Sequence, residues 1–453
     1  MIRLASRVPE PAVRRLSATL YGYAFLSDLV LLYPLYVVLF ADTGLSVGHI
    51  SSLFVLWSAA GILFEVPSGA WADVASRRLL LCLAPLVTAA GYALWVLLPS
   101  YPAFAVGFLL WGAGGALVSG ALEALVWTEL ARLDAGDRYA RVLGRARTAG
   151  VLGVVVTGVL AGPVFAAGGY PAVGAGSVLA CLLAAAVATR FPEHRRSPVA
   201  PPPPAAQLPP MSPAASPAVS SAAPPPAPPE DAPAGASNPD GSDDLTWTET
   251  LRAGLRQVRT RPPVRAAVLL AAVVAADWGA LDEYTPLLAL DTGVGAPAVP
   301  LLLLLLWAGV TVGGLLAPVG ERLGRRGYAA LLALVAVALA AGALVRHPAG
   351  FVLLAVAFGA AQLATVLADA RLQARITGGS RATVTSLAGM LTDLLVIGTY
   401  AGYGLVATSA GNAVAFAAAA GAYLVVALVV RGRRRRRAAV PGDVAAAGAR
   451  GPG

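Results

Sequence analysis

The chain has 453 residues and contains no lysine, two cysteines and three histidines. Charged residues make up 13% of it, about half the share that is usual in soluble domains. Cys82 and Cys181 both lie in apolar stretches, so we expect neither a disulfide nor a metal site. The sequence also lacks a nucleophile elbow, a phosphate-binding loop and metal-ligand spacing. We therefore expect a protein that is not an enzyme, with no catalytic residue and no cofactor.

Long apolar runs take up most of the chain. Hydrophobic residues make up 57% of it, the mean hydropathy is +0.72, and runs of about 20 apolar residues recur. The sequence therefore predicts an all-α membrane protein with twelve transmembrane spans. We place spans 1 to 12 at about 17–40, 48–71, 79–98, 102–128, 146–167, 171–190, 264–289, 297–318, 328–346, 350–373, from near 382, and 411–430.

The net charge of +9 bears on how the chain is oriented in the membrane. In a soluble protein it would suggest nucleic acid, but these arginines flank the apolar spans and nearly all fall in loops on one side. Positive loops stay in the cytoplasm. We expect a multi-pass protein of the inner or plasma membrane, embedded in the lipid bilayer, with both termini cytoplasmic and no nucleic-acid partner.

Composition divides the chain into five parts. Residues 1–191 hold six spans, and residues 192–246 are rich in Pro and Ala and predict a disordered cytoplasmic linker. Residues 247–261 predict an amphipathic cytoplasmic helix on the membrane face. Residues 262–431 hold six more spans, and residues 432–453 form a basic cytoplasmic tail.

A charged motif joins spans 2 and 3. It contains Gly69, Ala72, Asp73, Arg77 and Arg78. Glycine allows a tight turn where a helix leaves the membrane, and an aspartate there can face the positive N-terminus of a neighbouring helix. A second copy between spans 8 and 9 contains Glu321, Arg322, Gly324, Arg325 and Arg326.

The two halves of the chain repeat each other. Asp42-Thr43-Gly44 recurs as Asp291-Thr292-Gly293, Trp57 recurs as Trp307, and Arg77-Arg78 recurs as Arg325-Arg326. The offsets are 249, 250 and 248 residues. Landmarks in one register predict two related bundles of six helices.

On these motifs the chain resembles the major facilitator superfamily, closest to bacterial drug/proton antiporters. The resemblance implies two pseudo-symmetric six-helix bundles around a cavity that opens alternately to each side. Span 5 matches the antiporter signature at Gly158, Gly162 and Pro163, but Ala166 and Ala167 replace its glycine pair. The arginine that the family signature places in span 4 is replaced by Phe108.

Acidic residues inside spans are costly and need a role. Asp28, Asp277 and Asp393 lie near the midplane with no basic residue at their depth, which leaves protonation, a cationic substrate, or hydrogen bonds to Tyr and Ser. We treat these three as candidates for transport and proton coupling. For the shallower Glu65, Glu123 and Asp369 we expect ion pairs with arginines.

These features favour a monomeric secondary active transporter that exports a small lipophilic or cationic compound in exchange for protons. One alternative is a proton-coupled importer of a small nutrient. A less favoured alternative is a membrane scaffold that does not transport and acts through the linker and the tail.

The arginine asymmetry generates a topology prediction. Reporter enzymes fused after Arg78 and after Thr43 should report opposite sides of the membrane, with the Arg78 fusion in the cytoplasm. Equal signals from the two fusions would contradict the arrangement of twelve spans.

Overall fold

The computed structural model describes residues 10–74, 76–194, 247–376 and 381–437, which form helices and no strand. The helices of the first half are α1 Glu10–Asp28, α2 Tyr36–Asp42, α3 Val47–Val74, α4 Arg77–Leu97, α5 Tyr101–Val118, α6 Ala121–Arg132 and α7 Tyr139–Ala188. Those of the second half are α8 Trp247–Thr260, α9 Pro262–Asp282, α10 Thr285–Leu290, α11 Val299–Leu315, α12 Ala317–Gly320, α13 Arg325–Leu344, α14 Gly350–Gln373, α15 Arg381–Ala410 and α16 Asn412–Arg437. Most of the expected linker and the tail beyond residue 437 lie outside the described residues.

The helices account for twelve spans. Ten described segments are long and apolar enough to cross a membrane. One of them, Gly136–Ala188, contains spans 5 and 6, which join where Gly169 adopts a φ of 62°. Span 1 is divided between α1 and α2 and completes the set. The expected all-α fold is confirmed, and α8 lies where the amphipathic helix was expected.

The turn expected at Gly69 is wrong. Helix α3 continues through this residue to Val74, and α4 begins at Arg77. Ser76 then caps α4 by accepting a hydrogen bond from the Leu79 N–H at 3.1 Å. A serine side chain at a helix N-terminus satisfies a backbone donor that would otherwise lack a partner, so the start of span 3 is set by Ser76.

Span 1 is broken between α1 and α2 because of a proline. Pro34 has no N–H, and its ring clashes with the carbonyl four residues earlier. The Tyr33 N–H bonds instead to Val30 O at 3.0 Å, and the Leu35 N–H to Leu32 O at 2.9 Å. The Leu32 N–H bonds to the Ser177 hydroxyl of span 6 at 2.9 Å. A donor freed inside the membrane therefore finds a partner on a neighbouring helix.

Span 7 is broken at the corresponding depth. Helix α9 ends at Asp282 and α10 begins at Thr285, with Pro286 in the first turn of α10. The Tyr284 N–H bonds to Leu281 O at 3.0 Å, and the Thr285 hydroxyl donates to Asp282 O at 2.6 Å. Both halves thus open with a discontinuous span.

The repeated Asp-Thr-Gly tripeptides adopt one geometry. Gly44 and Gly293 have φ values of 87° and 85°, which favour glycine. Each threonine hydroxyl donates to a carbonyl three residues earlier at 2.7 Å. Asp42 accepts a hydrogen bond from Tyr170 at the start of span 6, and Asp291 accepts one from Asn412 at the start of span 12. The internal repeat predicted from the sequence is therefore present in the fold.

The molecule has two ends. We call the end that carries Glu10, α8 and Arg437 the termini face, and the end with the connections 43–46, 98–100, 345–349 and 411 the far face. The contacts described between the halves run from the breaks of spans 1 and 7 to the far face. Towards the far face, Gly48 meets Thr408, Gly158 meets Leu304, Gly162 meets Pro297, and Ser51 meets Tyr284. The halves are thus closed against each other at the far face.

The broken span generates a stability prediction. Ser177→Ala should lower the free energy of unfolding by about 1–3 kcal/mol, because the Leu32 N–H is left without a partner. Ser409→Ala is the matched control, since its exposed hydroxyl bonds only to carbonyls of its own helix. Thermal unfolding in detergent measures both variants, and equal stability of the two would contradict the role of Ser177.

Candidate functional site

The breaks of spans 1 and 7 face each other between the two halves. Tyr33 donates a hydrogen bond to Glu283 Oε1 at 3.4 Å, and Tyr36 donates one to Glu283 Oε2. Glu283 is 7% exposed, and the ion pairs of the described residues do not include it. A carboxylate inside the bundle is therefore satisfied by two hydroxyl groups that both come from the other half.

A group of aromatic rings, most of them from the first half, begins at Tyr33 beside this carboxylate. The Tyr33 ring lies 5.9 Å from Trp307 and 6.1 Å from Trp111, and Trp57 stacks on Trp111 at 4.9 Å. These four rings are half-buried. Behind them is a fully buried wall of Tyr36, Phe40, Phe54, Trp95, Phe104 and Phe108. The site therefore has an apolar back and a partly accessible aromatic front.

The second half contributes further polar groups. Asp282 accepts a hydrogen bond from the Trp307 side chain, which places a second carboxyl group beside Glu283. The Tyr284 hydroxyl pairs with the Ser51 hydroxyl at 2.7 Å, and its ring stacks on Tyr403 at 3.7 Å. Three consecutive residues at the break of span 7 thus point polar atoms at neighbours on other helices.

Asp28 ends α1 and packs against α7. A Cβ added at Gly150 would overlap Asp28 Oδ2, and one at Gly153 would lie 2.5 Å from Phe25 O. The Thr157 hydroxyl is 3.4 Å from the Asp28 carbonyl. The Asp28 side chain is exposed. Because Gly150 and Gly153 of span 5 have no side chain, the end of α1 with the exposed Asp28 carboxylate lies close to the backbone of α7.

Asp277 occupies a different environment from Asp28. It is 7% exposed inside the second half, and its Oδ2 atom has no hydrogen-bond partner among the described residues. The nearby Tyr423 hydroxyl accepts from the Trp278 N–H and donates to Val274 O, both at 3.1 Å. Asp393 is half-buried on α15. The structure therefore does not bring the three predicted midplane acids into one cluster.

The expected ion pairs of the shallow acids are not formed in this conformation by the acids that the structure describes. The ion pairs described do not include Glu123, which is exposed, or Asp369. Arg371, two residues after Asp369, points away from it and lies 3.8 Å over the Tyr328 ring. Its other contact is a hydrogen bond to Leu323 O. The side chain of Glu65 lies outside the described part of the structure.

We call the charged motif between spans 2 and 3 and its copy between spans 8 and 9 the first and second signature loops. The first signature loop is held by residues at the end of span 6. Glu193 accepts a hydrogen bond from the Arg77 N–H at 2.7 Å and another from the Ser76 hydroxyl. Its carboxylate therefore lies at the positive N-terminus of α4, a favourable place for negative charge. The Arg77 side chain donates to Thr128 Oγ1 at 3.0 Å. Gly69 lies within α3, and the side chain of Asp73 lies outside the described part of the structure.

The second signature loop is open to solvent. Gly324 precedes α13, and the Arg325 Nε atom donates to Val430 O at 2.5 Å. Arg78 of the first loop is exposed in the same way. The remaining charged members of the second loop are exposed, namely Glu321, Arg322 and Arg326.

The span 5 motif lies at the contact between the halves. A Cβ added at Gly158 would be 3.2 Å from the Leu304 side chain, and one at Gly162 would overlap Pro297 O. Pro163 follows within the same helix. These glycines let spans 5 and 8 meet closely near the far face, as small residues do in membrane helices.

Sequence reasoning missed the residues at the centre of the bundle. Tyr33, Tyr36, Trp111 and Glu283 were not among the expected site residues, and neither was the Glu193 cap. A signal was present, because prolines at 34 and 286 interrupt two spans in corresponding positions of the halves. Such pairs of interrupted spans are typical of binding sites in transporters built from repeats.

Comparison with known proteins supports the fold. A profile described as Major Facilitator Superfamily matches residues 19–399. A bacterial homologue of the human lysosomal transporter Spinster, solved inward-facing and unoccupied, is 15% identical, with a TM-score of 0.63 over 95% of this chain and 98% of that one. The nucleoside transporter NupG is 12% identical, with a TM-score of 0.67 over 94% of this chain and 99% of that one. A D-xylose–proton symporter is 14% identical, with a TM-score of 0.59 over 93% of this chain and 97% of that one. No curated protein sequence matches significantly.

The contact between spans 5 and 8 generates a conformational prediction. Gly162→Val should hold the halves apart at the far face, because the added side chain meets the Pro297 carbonyl. Gly115→Val is the control, since no atom lies within 4 Å of a Cβ there. A cysteine at position 304, in a chain with Cys82→Ala and Cys181→Ala, should react faster with an impermeant thiol reagent only in Gly162→Val. Unchanged reactivity would contradict the contact.

Proposed function

Because the chain belongs to the Major Facilitator Superfamily and is therefore a secondary transporter, we propose that it exports a small lipophilic or cationic compound in exchange for protons. The observation that carries this proposal is the chemistry at the centre of the bundle. Asp282 and Glu283 place two carboxyl groups against partly accessible aromatic rings, and the described ion pairs do not neutralise either group. Aromatic faces and carboxylates together favour organic cations.

Sidedness follows from the distribution of arginines. We propose that the termini face is cytoplasmic, because the arginine-rich loops and α8 lie there. The described contacts between the halves lie towards the opposite end, so this conformation is the inward-facing one. A substrate taken up from the cytoplasm would reach the site in this state.

The two signature loops are proposed to control the termini face. In the outward-facing state Asp73 would approach the start of α15 near Thr383, and Glu321 would approach the start of span 5 near Arg147. A carboxylate at a helix N-terminus contributes about 0.3–1 kcal/mol when exposed. The exposure of Glu321 in the present state supports this assignment, since such a contact would form in only one state.

Proton coupling is assigned to the midplane acids Asp28, Asp277 and Asp393. Asp28 is the strongest candidate of the three. It lies at the break of span 1, it is exposed, and the described ion pairs do not include it. The exposed carboxylate can release a proton to water in this state, and it would bind a proton in a state that buries it, because desolvation disfavours the charged form.

A transport experiment tests this assignment. Asp28→Asn should retain the fold and substrate binding but lose accumulation driven by a proton gradient, because the amide cannot carry the proton. Asp137→Asn, which changes an exposed carboxylate at the termini face, should transport like the wild type. Flux in vesicles of known orientation measures both variants and gives the direction of transport. Normal coupling in Asp28→Asn would refute the role of Asp28, and net uptake would favour the importer.

A further inference from the structure

The hydrogen bonds of Glu283 cross between the two halves of the protein. Tyr33 and Tyr36 lie at the break of span 1, and Glu283 lies at the break of span 7. We propose that Glu283 binds the cationic group of the substrate, and that the two tyrosine hydroxyls occupy this carboxylate when substrate is absent. Binding of a cation then displaces the hydroxyls and releases the far-face contact. This inference rests on the proposed export of a cationic compound.

The first argument compares the two tyrosine hydroxyls with an organic cation as partners of the Glu283 carboxylate. Glu283 is buried, and its described hydrogen bonds come from neutral phenols. Hydroxyl-to-carboxylate hydrogen bonds are already charge-assisted, but neutral phenols bring no positive charge to balance the carboxylate. A buried carboxylate without an ion-pair partner is also costly. An ammonium or a comparable organic cation is therefore a better partner for Glu283 than Tyr33 and Tyr36 are.

The second argument is the chemistry beside the carboxylate. Tyr33, Trp57, Trp111 and Trp307 are half-buried. Their centroids lie 4.9–6.1 Å from one another in successive pairs, so they form one continuous aromatic group. Aromatic faces attract positive charge, so this group favours a cation as the partner of Glu283. Asp282, held by Trp307, adds a second carboxyl group to the same wall.

The third argument links this site to the far face. Tyr284 follows Glu283 directly and pairs with Ser51 on α3. One helical turn towards the far face, Gly48 meets Thr408 of α15. The two tyrosine hydrogen bonds of Glu283 therefore belong to the same line of contacts between the halves that closes the far face, and their loss weakens that line. A ligand shifts a conformational equilibrium only through its different affinity for the two states, and occupation of Glu283 supplies that difference.

The experiment reports on closure of the far face directly. A Cβ at Gly48 would lie 3.4 Å from Thr408 Oγ1, which is close enough for a disulfide after small adjustment. Gly48→Cys and Thr408→Cys are combined in a chain with Cys82→Ala and Cys181→Ala. The rate of disulfide formation under mild oxidation is measured with and without tetraphenylphosphonium. Triphenylphosphine oxide, which is neutral, is the matched ligand control.

We expect tetraphenylphosphonium to slow formation of the disulfide at least about tenfold, because two hydrogen bonds to a charged group are lost. Triphenylphosphine oxide should leave the rate unchanged. Glu283→Gln should abolish the response to the cation, whereas Glu123→Gln, an exposed carboxylate at the termini face, should retain it. The double variant Tyr33→Phe/Tyr36→Phe should form the disulfide slowly even without ligand, and this arm does not depend on the folding of Glu283→Gln.

A wild-type response in Glu283→Gln, or no response to the cation in the parent chain, would overturn the inference. Fast disulfide formation in the double tyrosine variant would also overturn it. Export of tetraphenylphosphonium is measured separately in vesicles. Export that is independent of Glu283 would leave the proposed function standing and remove this inference. A response through Glu283 without any export would support the binding site and remove the proposed function.

Discussion

A backbone amide that leaves its helix inside a membrane must find another partner, and the centre of this protein is built around that requirement. The Leu32 N–H reaches the Ser177 hydroxyl, which itself donates to Val173 O within span 6. Once this donor is satisfied, the chain around Pro34 can run outside a regular helix. Tyr33 and Tyr36 are thereby presented to Glu283. The most constrained segment of span 1 is thus also the one that makes contact with the other half.

The two halves share a framework but differ in chemistry. Asp42 is held by a tyrosine and Asp291 by an asparagine, yet both aspartates precede the same glycine turn and bond to the start of the last span of their half. At the centre this equivalence ends. The first half supplies most of the aromatic rings, and the second supplies the buried carboxylate at Glu283. A symmetric scaffold therefore holds an asymmetric site, which suits a ligand with one charged end and one apolar end.

Much of the fold could be predicted from the sequence, because hydropathy alone reveals how long each span is. The repeat was also visible, since Asp42 and Asp291 share a register. The site was harder to predict, because the position of a residue along a span gives its depth but not the direction in which it points. Asp277 has the expected depth, yet it faces into its own half. Arg371 has the right depth to pair with Asp369, but its side chain turns to Tyr328. Pro286 marks the break beside Glu283 in the sequence, but only the fold shows that this break turns Glu283 towards Tyr33 and Tyr36 of the other half.

The connections at the far face are short. Spans 3 and 4 are joined by residues 98–100, spans 9 and 10 by residues 345–349, and spans 11 and 12 by Gly411 alone. Together with residues 291–298 between spans 7 and 8, these links leave little folded surface outside the lipid on that side. An antibody fragment or a selected binding protein therefore finds its epitopes at the other end, among α8, the signature loops and the segment around Asp137. Reagents meant to trap one conformation of this molecule must be raised against that end.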